Sequence, residues 1–264
     1  MTTQGKLAGK IALVTGSTRG IGRTTAEWLA REGAAIVVNG RDPGETERAA
    51  AEVATIGVRT WAIAADLSRI ADAHALAETT LAVVPRLDIL VNNAGMSVRE
   101  NFWDVSDASF EEQTNVNYRS PFVLAQHAAR HMLANGTAGR IVNTSSVGAH
   151  RCHRDAAVYD SAKGAVETMT RNMAFELGGS GITVNCVIPG PIADRPGAPE
   201  PRDFWNQMIP YVPAGRLGSA DDIAAATLFF CLPEASFTTG QSLLVDGGFA
   251  APLTENYLTR LQDA

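Results

Sequence analysis

The chain is 264 residues long, with 22 Lys and Arg against 28 Asp and Glu, a formal charge of −6. Apolar residues make up 45% and charged residues 19%, which supplies a large core, excludes a disordered chain and suggests no basic face for nucleic acid. Three cysteines, Cys152, Cys186 and Cys231, are odd in number and lack metal-ligand spacing, so a disulfide scaffold is excluded and a reducing, cytoplasmic compartment is expected.

In chain order, Met1–Lys10 is polar and holds no secretory apolar region. Short β-branched runs then alternate with alanine-rich amphipathic stretches. Strands are predicted at Ile11–Thr15, Ala35–Asn39, Thr60–Ala64, Ile89–Asn92, Arg140–Thr144, Thr183–Ile188 and Ser242–Val245. Helical periodicity lies between them, over 20–32, 43–55, 68–84, 107–135, 157–178 and 219–231. Alternation repeated this often predicts an α/β fold with a mostly parallel sheet covered on both faces. The connections are too short for a linker, so a single domain over 1–264 is expected. No run reaches the roughly 18 apolar residues of a membrane helix, and no membrane partner is expected. The exception to the rhythm is Pro189–Pro213, which holds seven of the twelve prolines. It follows the end of a strand, where ligands bind in open α/β sheets, and is expected to be a substrate lid with a short helix near Asp203–Met208.

Thr15-Gly16-Ser17-Thr18-Arg19-Gly20-Ile21-Gly22 follows the first strand and opens a helix. Glycines there let the backbone approach a pyrophosphate, whose charge sits at the helix N-terminus. A P-loop does not fit, because no Lys-Ser or Lys-Thr follows the glycines. The second strand ends Val38-Asn39-Gly40-Arg41-Asp42. A dinucleotide site has an acid there for the ribose 2′-hydroxyl, or an Arg nearby for a 2′-phosphate. Asp42 could serve the diol, but Arg41 suits a phosphate, which a guanidinium matches far better. Ala65-Asp66-Leu67 and Asn92-Asn93-Ala94-Gly95 end the next two strands, and each alone could be an ordinary turn.

Tyr159-Asp160-Ser161-Ala162-Lys163 sets a phenol and an ammonium four residues apart on one helix face. A free phenol, with a pKa of about 10, is a poor acid at neutral pH; a nearby cation stabilises the phenolate and lowers that value. Ser146 lies 13 residues upstream, at the end of the fifth strand, with Ser145 as its alternative. No GxSxG elbow is present, which argues against a serine hydrolase.

The TGxxxGxG loop, the Asn92–Gly95 turn, the serine and the YxxxK pair together resemble the short-chain dehydrogenase/reductase family. Arg216-Leu217-Gly218, Thr239-Gly240-Gln241 and Asp246-Gly247-Gly248 match as well, so the resemblance covers about residues 7–250. It implies a Rossmann-type doubly wound parallel sheet of seven strands. It also implies a cofactor wall of Gly16, Thr18, Arg19, Gly20, Ile21, Gly22, Asn39, Gly40 and Arg41. In the family's pattern the ribose acid falls at Gly40, so its absence beside two arginines implies NADP(H). Asp66 and Leu67 would meet the adenine, Asn93, Ala94 and Gly95 would line the cofactor, and Pro189, Gly190 and Ile192 would contact the nicotinamide amide, Ile192 through its backbone. Asp194 stands where the family often has Thr.

The implied catalytic set is Asn117, Ser146, Tyr159 and Lys163, the last two also touching cofactor. Tyr159 would give a proton to the carbonyl oxygen that Ser146 holds, Lys163 would tune Tyr159 and bond the nicotinamide ribose, and Asn117 would link Lys163 to solvent through a water. The expected activity is hydride transfer between NADPH and a small-molecule carbonyl or secondary alcohol. Relatives that reduce 3-oxoacyl groups on acyl carrier protein use docking cations, which the matching stretches 134–137, 174–176 and Ser180 lack. That reading and a non-catalytic NADP(H) sensor are the alternatives. A homotetramer is implied by the resemblance alone.

Weaker signals remain. His150-Arg151-Cys152-His153-Arg154, with Arg99, could face an anionic or polyhydroxylated substrate or could be a solvated loop. His127 and His131 have i, i+4 spacing but no HExxH and no third ligand, so no metal is expected. Phe229, Phe230 and Phe237 are expected in the core or an interface. The tail 251–264 has a helical pattern that could cover a neighbouring subunit's site.

Overall fold

Side chains on a strand alternate between faces, and in this chain the alternation divides the core in two. The computed structural model describes residues 5–193 and 205–251. Among them are seven strands: β1 (Ile11–Val14), β2 (Ala35–Gly40), β3 (Thr60–Ala64), β4 (Ile89–Asn92), β5 (Arg140–Thr144), β6 (Thr183–Pro189) and β7 (Ser242–Val245). They form one parallel sheet in the order β3-β2-β1-β4-β5-β6-β7. Ala12, Val14, Ile36, Val38, Ile89 and Val91 point to one face. There they pack against α1 (Gly20–Arg31), α2 (Pro43–Ala54) and α7 (Ala220–Cys231), through Leu29, Val53, Ile223 and Phe230. Ile11, Leu13, Val37, Leu90 and Ile141 point to the other. They meet Leu76 of α3 (Ile70–Val83), Leu124 and Met132 of α5 (Ser120–Ala134), and Ala174 of α6 (Ala157–Leu177). Buried on both faces, the central strands β1, β2, β4, β5 and β6 read as nearly continuous apolar runs, whereas the edge strands β3 and β7 are partly exposed.

The chain runs outward from β1 to β3, then returns to place β4 on the other side of β1. This reversal opens a crevice at the carboxyl ends of β1 and β4, the usual ligand position in such sheets.

One expected element divides. The helix predicted over 107–135 is α4 (Asp107–Thr114), a π-helical turn (Asn115–Arg119) and α5. The amide of Ser120 donates to the carbonyl of Asn115, five residues back, where an α-helix would reach four. The range read as one helix runs straight through this widened turn. Residues 194–204, with Asp194, lie outside the described residues, so the expected helix near Asp203–Met208 is described only from Trp205 onward. The tail from residue 252 lies outside them too.

Candidate active site

The glycine loop wraps a single polar side chain. The amide of Asn93, just beyond β4, donates to the carbonyls of Thr15 (2.9 Å) and Gly16 (3.3 Å), while its backbone N–H donates to Thr15 Oγ1 (3.0 Å). A Cβ at Gly22 would collide with Gly16 O and Asn93 Nδ2, so only glycine lets helix α1 start this close. The loop thereby ties β1, β4 and α1 together at the crevice.

That crevice is a cleft of about 650 Å³, well within the range of small-molecule sites. It is lined by Gly16, Thr18, Arg19, Gly20, Ile21, Gly22, Asn39, Gly40, Arg41, Asp66, Leu67, Asn93, Ala94, Gly95, Ser146, Tyr159, Lys163 and Pro189, all named from the sequence. Ser145, Val116, Met96, Ser97, Arg99, Glu112 and Trp205 also line it. Trp205 belongs to the expected lid.

At the β2 end, Gly40 is buried, and a Cβ there would collide with Thr18 Cγ2 and crowd Thr46 Oγ1. An acidic side chain at position 40 has no room. Asp42 is engaged elsewhere: its carboxylate caps α2 by accepting from the Glu45 N–H (2.7 Å), and it does not line the cleft. Arg19 and Arg41 are exposed, line the cleft and have no carboxylate partner among the described residues. The chemistry of this end is cationic, as a phosphate requires.

At the β5 end, Lys163 is fully buried on α6, its Nζ donating to Thr144 O (2.8 Å) and lying 5.7 Å from the centroid of the Tyr159 ring. Burial pushes the Lys163 pKa below the ordinary lysine value, against a smaller opposing pull from Tyr159. The two serines divide their roles. The Ser145 hydroxyl lies 2.8 Å from Glu167 Oε1 and 3.0 Å from Lys163 O, so its proton is used within the protein. Ser146 Oγ accepts from the Gly148 N–H (3.1 Å), which leaves its own O–H to donate into the cleft.

Asn117 sits in the π turn, fully buried behind the cleft lining. Its amide donates to Met96 O (2.6 Å) and Gln113 O (2.9 Å), and its Oδ1 accepts from Met96 N (3.1 Å). A Cβ at Gly95 would lie 3.3 Å from Asn117 Oδ1 and 3.4 Å from Lys163 Nζ, so Gly95 is the point where the Asn117 and Lys163 side chains approach the same backbone. The Asn117 amide therefore holds the Gly95–Met96 wall in place.

Gly190 and Ile192 do not line the cleft. Gly190 packs on Asp246, and Ile192 bridges to Gly218 through bonds of the neighbouring residues, Gly218 N to Pro191 O and Ala193 N to Gly218 O. The N–H and C=O of Ile192 itself have no partner among the described residues.

The basic loop is exposed at His150, Arg151, Cys152 and Arg154 and none of its residues lines the cleft, yet its histidines are held by the protein. His150 Nε2 lies 3.1 Å from Glu167 Oε2, and His153 Nδ1 lies 2.9 Å from Asp160 Oδ1, both carboxylates belonging to α6 and largely buried. Arg151 donates to Ala250 O (2.9 Å). These contacts sew the loop carrying Ser146 onto the helix carrying Tyr159 and Lys163. Glu167 and Asp160 carried no signal in the sequence, because partners 17 and 7 residues away have no fixed helical spacing.

His127 and His131 are intrachain contacts. His127 Nε2 meets His74 Nδ1 of α3 at 3.0 Å, and His131 Nε2 accepts from Leu87 N at 3.3 Å. Burial, then the neighbouring His74, pushes the His127 pKa down. Burial pushes the thiols of Cys186 and Cys231 up to about 12, so neither is a nucleophile at neutral pH. Phe230 is core, whereas Phe237 is fully exposed and Phe229 is about half exposed.

The comparisons with known proteins agree with this geometry. A family described as enoyl-(acyl carrier protein) reductase matches residues 16–250. A (2S)-[(R)-hydroxy(phenyl)methyl]succinyl-CoA dehydrogenase subunit of Thauera aromatica is 38% identical over 239 residues, 90% of this chain and 96% of that one. The structure of a short-chain dehydrogenase/reductase variant from Serratia marcescens superposes with a TM-score of 0.86 at 36% identity, covering 93% of this chain and all of the other. A blue fluorescent protein from a metagenomic library, solved in complex with NADPH, gives 0.87 at 35% identity, with the same coverage of 93% and 100%.

Proposed function

Because the chain belongs to the short-chain dehydrogenase/reductase family, a family of NAD(P)-linked oxidoreductases of alcohols and carbonyls, we propose that it is NADP(H)-dependent. On this reading it interconverts a small-molecule carbonyl and its secondary alcohol with Tyr159 as acid/base. The observation that carries the reading is one cleft with two chemically distinct ends: Arg19 and Arg41, without carboxylate partners among the described residues, at one, and Ser146, Tyr159 and Lys163 together at the other. The NADPH-bound relative supports the choice of cofactor, as do the crowding at Gly40 and the capping role of Asp42.

The residues present fit the group. Arg19 and Arg41 would hold the 2′-phosphate, the α1 N-terminus and its glycines the pyrophosphate, Asp66 and Leu67 the adenine, and Lys163 and Pro189 the nicotinamide end. Bound there, the cofactor supplies or accepts the hydride. In reduction, the Ser146 O–H donates to the carbonyl oxygen and stabilises the charge that develops on it. Tyr159 gives that oxygen its proton. The Lys163 ammonium, fixed by Thr144 O, sets a positive charge beside the phenol. Asn117 would link Lys163 to solvent through a water and so return the proton. In oxidation each step runs in reverse.

The test is a panel of ketones, sugars, keto acids and acyl thioesters followed by NADPH absorbance. Turnover of a free carbonyl is expected. Turnover of acyl thioesters alone would replace this reading with the thioester reductase. NADPH binding with no turnover on any arm would favour a sensor. A pH profile supplies a second check: because burial lowers the Lys163 pKa, its ammonium deprotonates on raising the pH before the ordinary lysine value of 10.5 is reached, and the alkaline limb of activity is expected to lie below that value. A limb at or above it would contradict the assignment of Lys163.

The reading extends to a homo-oligomer. The exposed apolar side chains Phe229, Phe237, Leu243 and Leu244 support it, and sedimentation equilibrium checks it. Among the described residues no helix is long and apolar enough to cross a membrane.

A further inference from the structure

Arg99 touches the basic loop through the backbone of Arg154 but differs from it in lining the cleft. His150, Arg151 and His153 are bonded within the protein, and none of them lines the cleft. Arg99 does line it. Its position is held from behind by an unusual turn. Asp155 has φ +59, the only positive φ of a non-glycine residue among those described, a conformation that Asp tolerates and most residues avoid. The turn presents two successive carbonyls to the wall opposite: Arg154 O accepts from Arg99 Nη1 (2.9 Å), and Asp155 O accepts from the Glu100 N–H (2.9 Å). One guanidinium nitrogen is thus anchored.

The rest of the guanidinium has no partner among the described residues, and no carboxylate pairs with it. The adjacent Glu100 is drawn away by Ser109 and Gln113. Glu112, the other acid on this wall, also borders a second hollow with Ser68, Arg69, Asn115 and Arg119, toward the proposed adenine end. Arg99 also lies apart from the proposed phosphate site. Its anchor, Arg154 O, belongs to the loop between Ser146 and Tyr159, on the catalytic side of the cleft, whereas Arg41 follows β2. An anchored, unpaired guanidinium on the catalytic side of a cleft is a receptor for a carboxylate or phosphate oxyanion.

We propose that Arg99 reads an acidic oxyanion on the substrate, so that this enzyme's carbonyl or alcohol substrate carries a carboxylate or phosphate some atoms from the reacting carbon. The assignment rests on the oxidoreductase reading. It predicts that a single negative charge on the substrate outweighs its size or hydroxylation in selection.

Matched substrates test it: a keto acid, its methyl ester and a keto phosphate of similar length, each followed by NADPH oxidation. The wild-type enzyme is expected to prefer an anionic compound over the ester by at least about tenfold in kcat/KM. The keto acid and keto phosphate arms identify which oxyanion is read. In Arg99→Ala the preference is expected to fall to near unity, and Arg99→Lys is expected to restore part of it. A second arm needs no turnover. Succinate, but not dimethyl succinate, is expected to raise the melting temperature of the NADPH-loaded wild-type protein, and this shift is expected to vanish in Arg99→Ala. Equal use of acid and ester, an unchanged preference in Arg99→Ala, or a wild-type protein indifferent to succinate would each overturn the proposal. Failure of the oxidoreductase reading looks different: no carbonyl turns over on any arm, whatever succinate does.

Discussion

Tyr159→Phe is expected to lower kcat by about 10³-fold while leaving NADPH affinity within a few-fold of wild type. The substitution removes one oxygen and keeps the ring. Lys163 therefore keeps its bond to Thr144 O and its position against that ring, and Ser146 keeps its place through Gly148. What is lost is the proton donor alone, so binding and chemistry separate. Stopped-flow reduction of the best panel substrate, with fluorescence titration of NADPH, measures both. Retained turnover would remove Tyr159 as the acid. Equal losses in turnover and affinity would indicate a collapsed cleft, and near-ultraviolet circular dichroism would reveal it.

The Arg19→Ala/Arg41→Ala double variant is expected to weaken NADPH by about 10- to 100-fold and NADH by no more than about threefold. Each guanidinium–phosphate hydrogen bond is charge-assisted, and such bonds contribute about 1.5–3 kcal/mol, less where water screens them. Both arginines are exposed, so the lower half of the range is expected, and the difference between the two cofactors is expected to shrink as salt rises. Equal NADPH and NADH affinities in the wild-type protein would defeat the assignment. Installing an acid at Gly40 alone is not expected to create an NAD enzyme, because Thr18 Cγ2 and Thr46 occupy the space its side chain needs. Trimming Thr18 would have to accompany it.

Much of this site was legible without coordinates because its parts are local. Thr15–Gly22, Asn39–Arg41, Asn93–Gly95 and Tyr159–Lys163 each lie at one strand end or on one helix turn. Strand alternation is equally local, which is why all seven strands emerge at their expected positions. The choice between Ser145 and Ser146 was different. It rested on family spacing, and the physical reason appears only when Glu167 and Lys163 O are seen beside the Ser145 hydroxyl. The π turn at Asn117 was invisible to periodicity. The basic loop was misleading as a unit, since charge density in a sequence does not say which cations already have partners.

The opening charge of −6 excluded an obvious nucleic-acid partner but held no information on where the sign reverses. By itself the sequence determined the sheet, its crossovers, the glycine loop and the family, because these depend on residue type at short, regular separations. Only the tertiary structure decided which charges are free. Asp160 and Glu167 bind the histidines of the loop, Asp42 caps a helix, and Glu100 is drawn to Ser109 and Gln113. Arg19, Arg41 and Arg99 are left facing one cleft with no carboxylate partner among the described residues. A cation's availability depends on which groups packing brings within about 4 Å of it, and those groups come from distant parts of the chain.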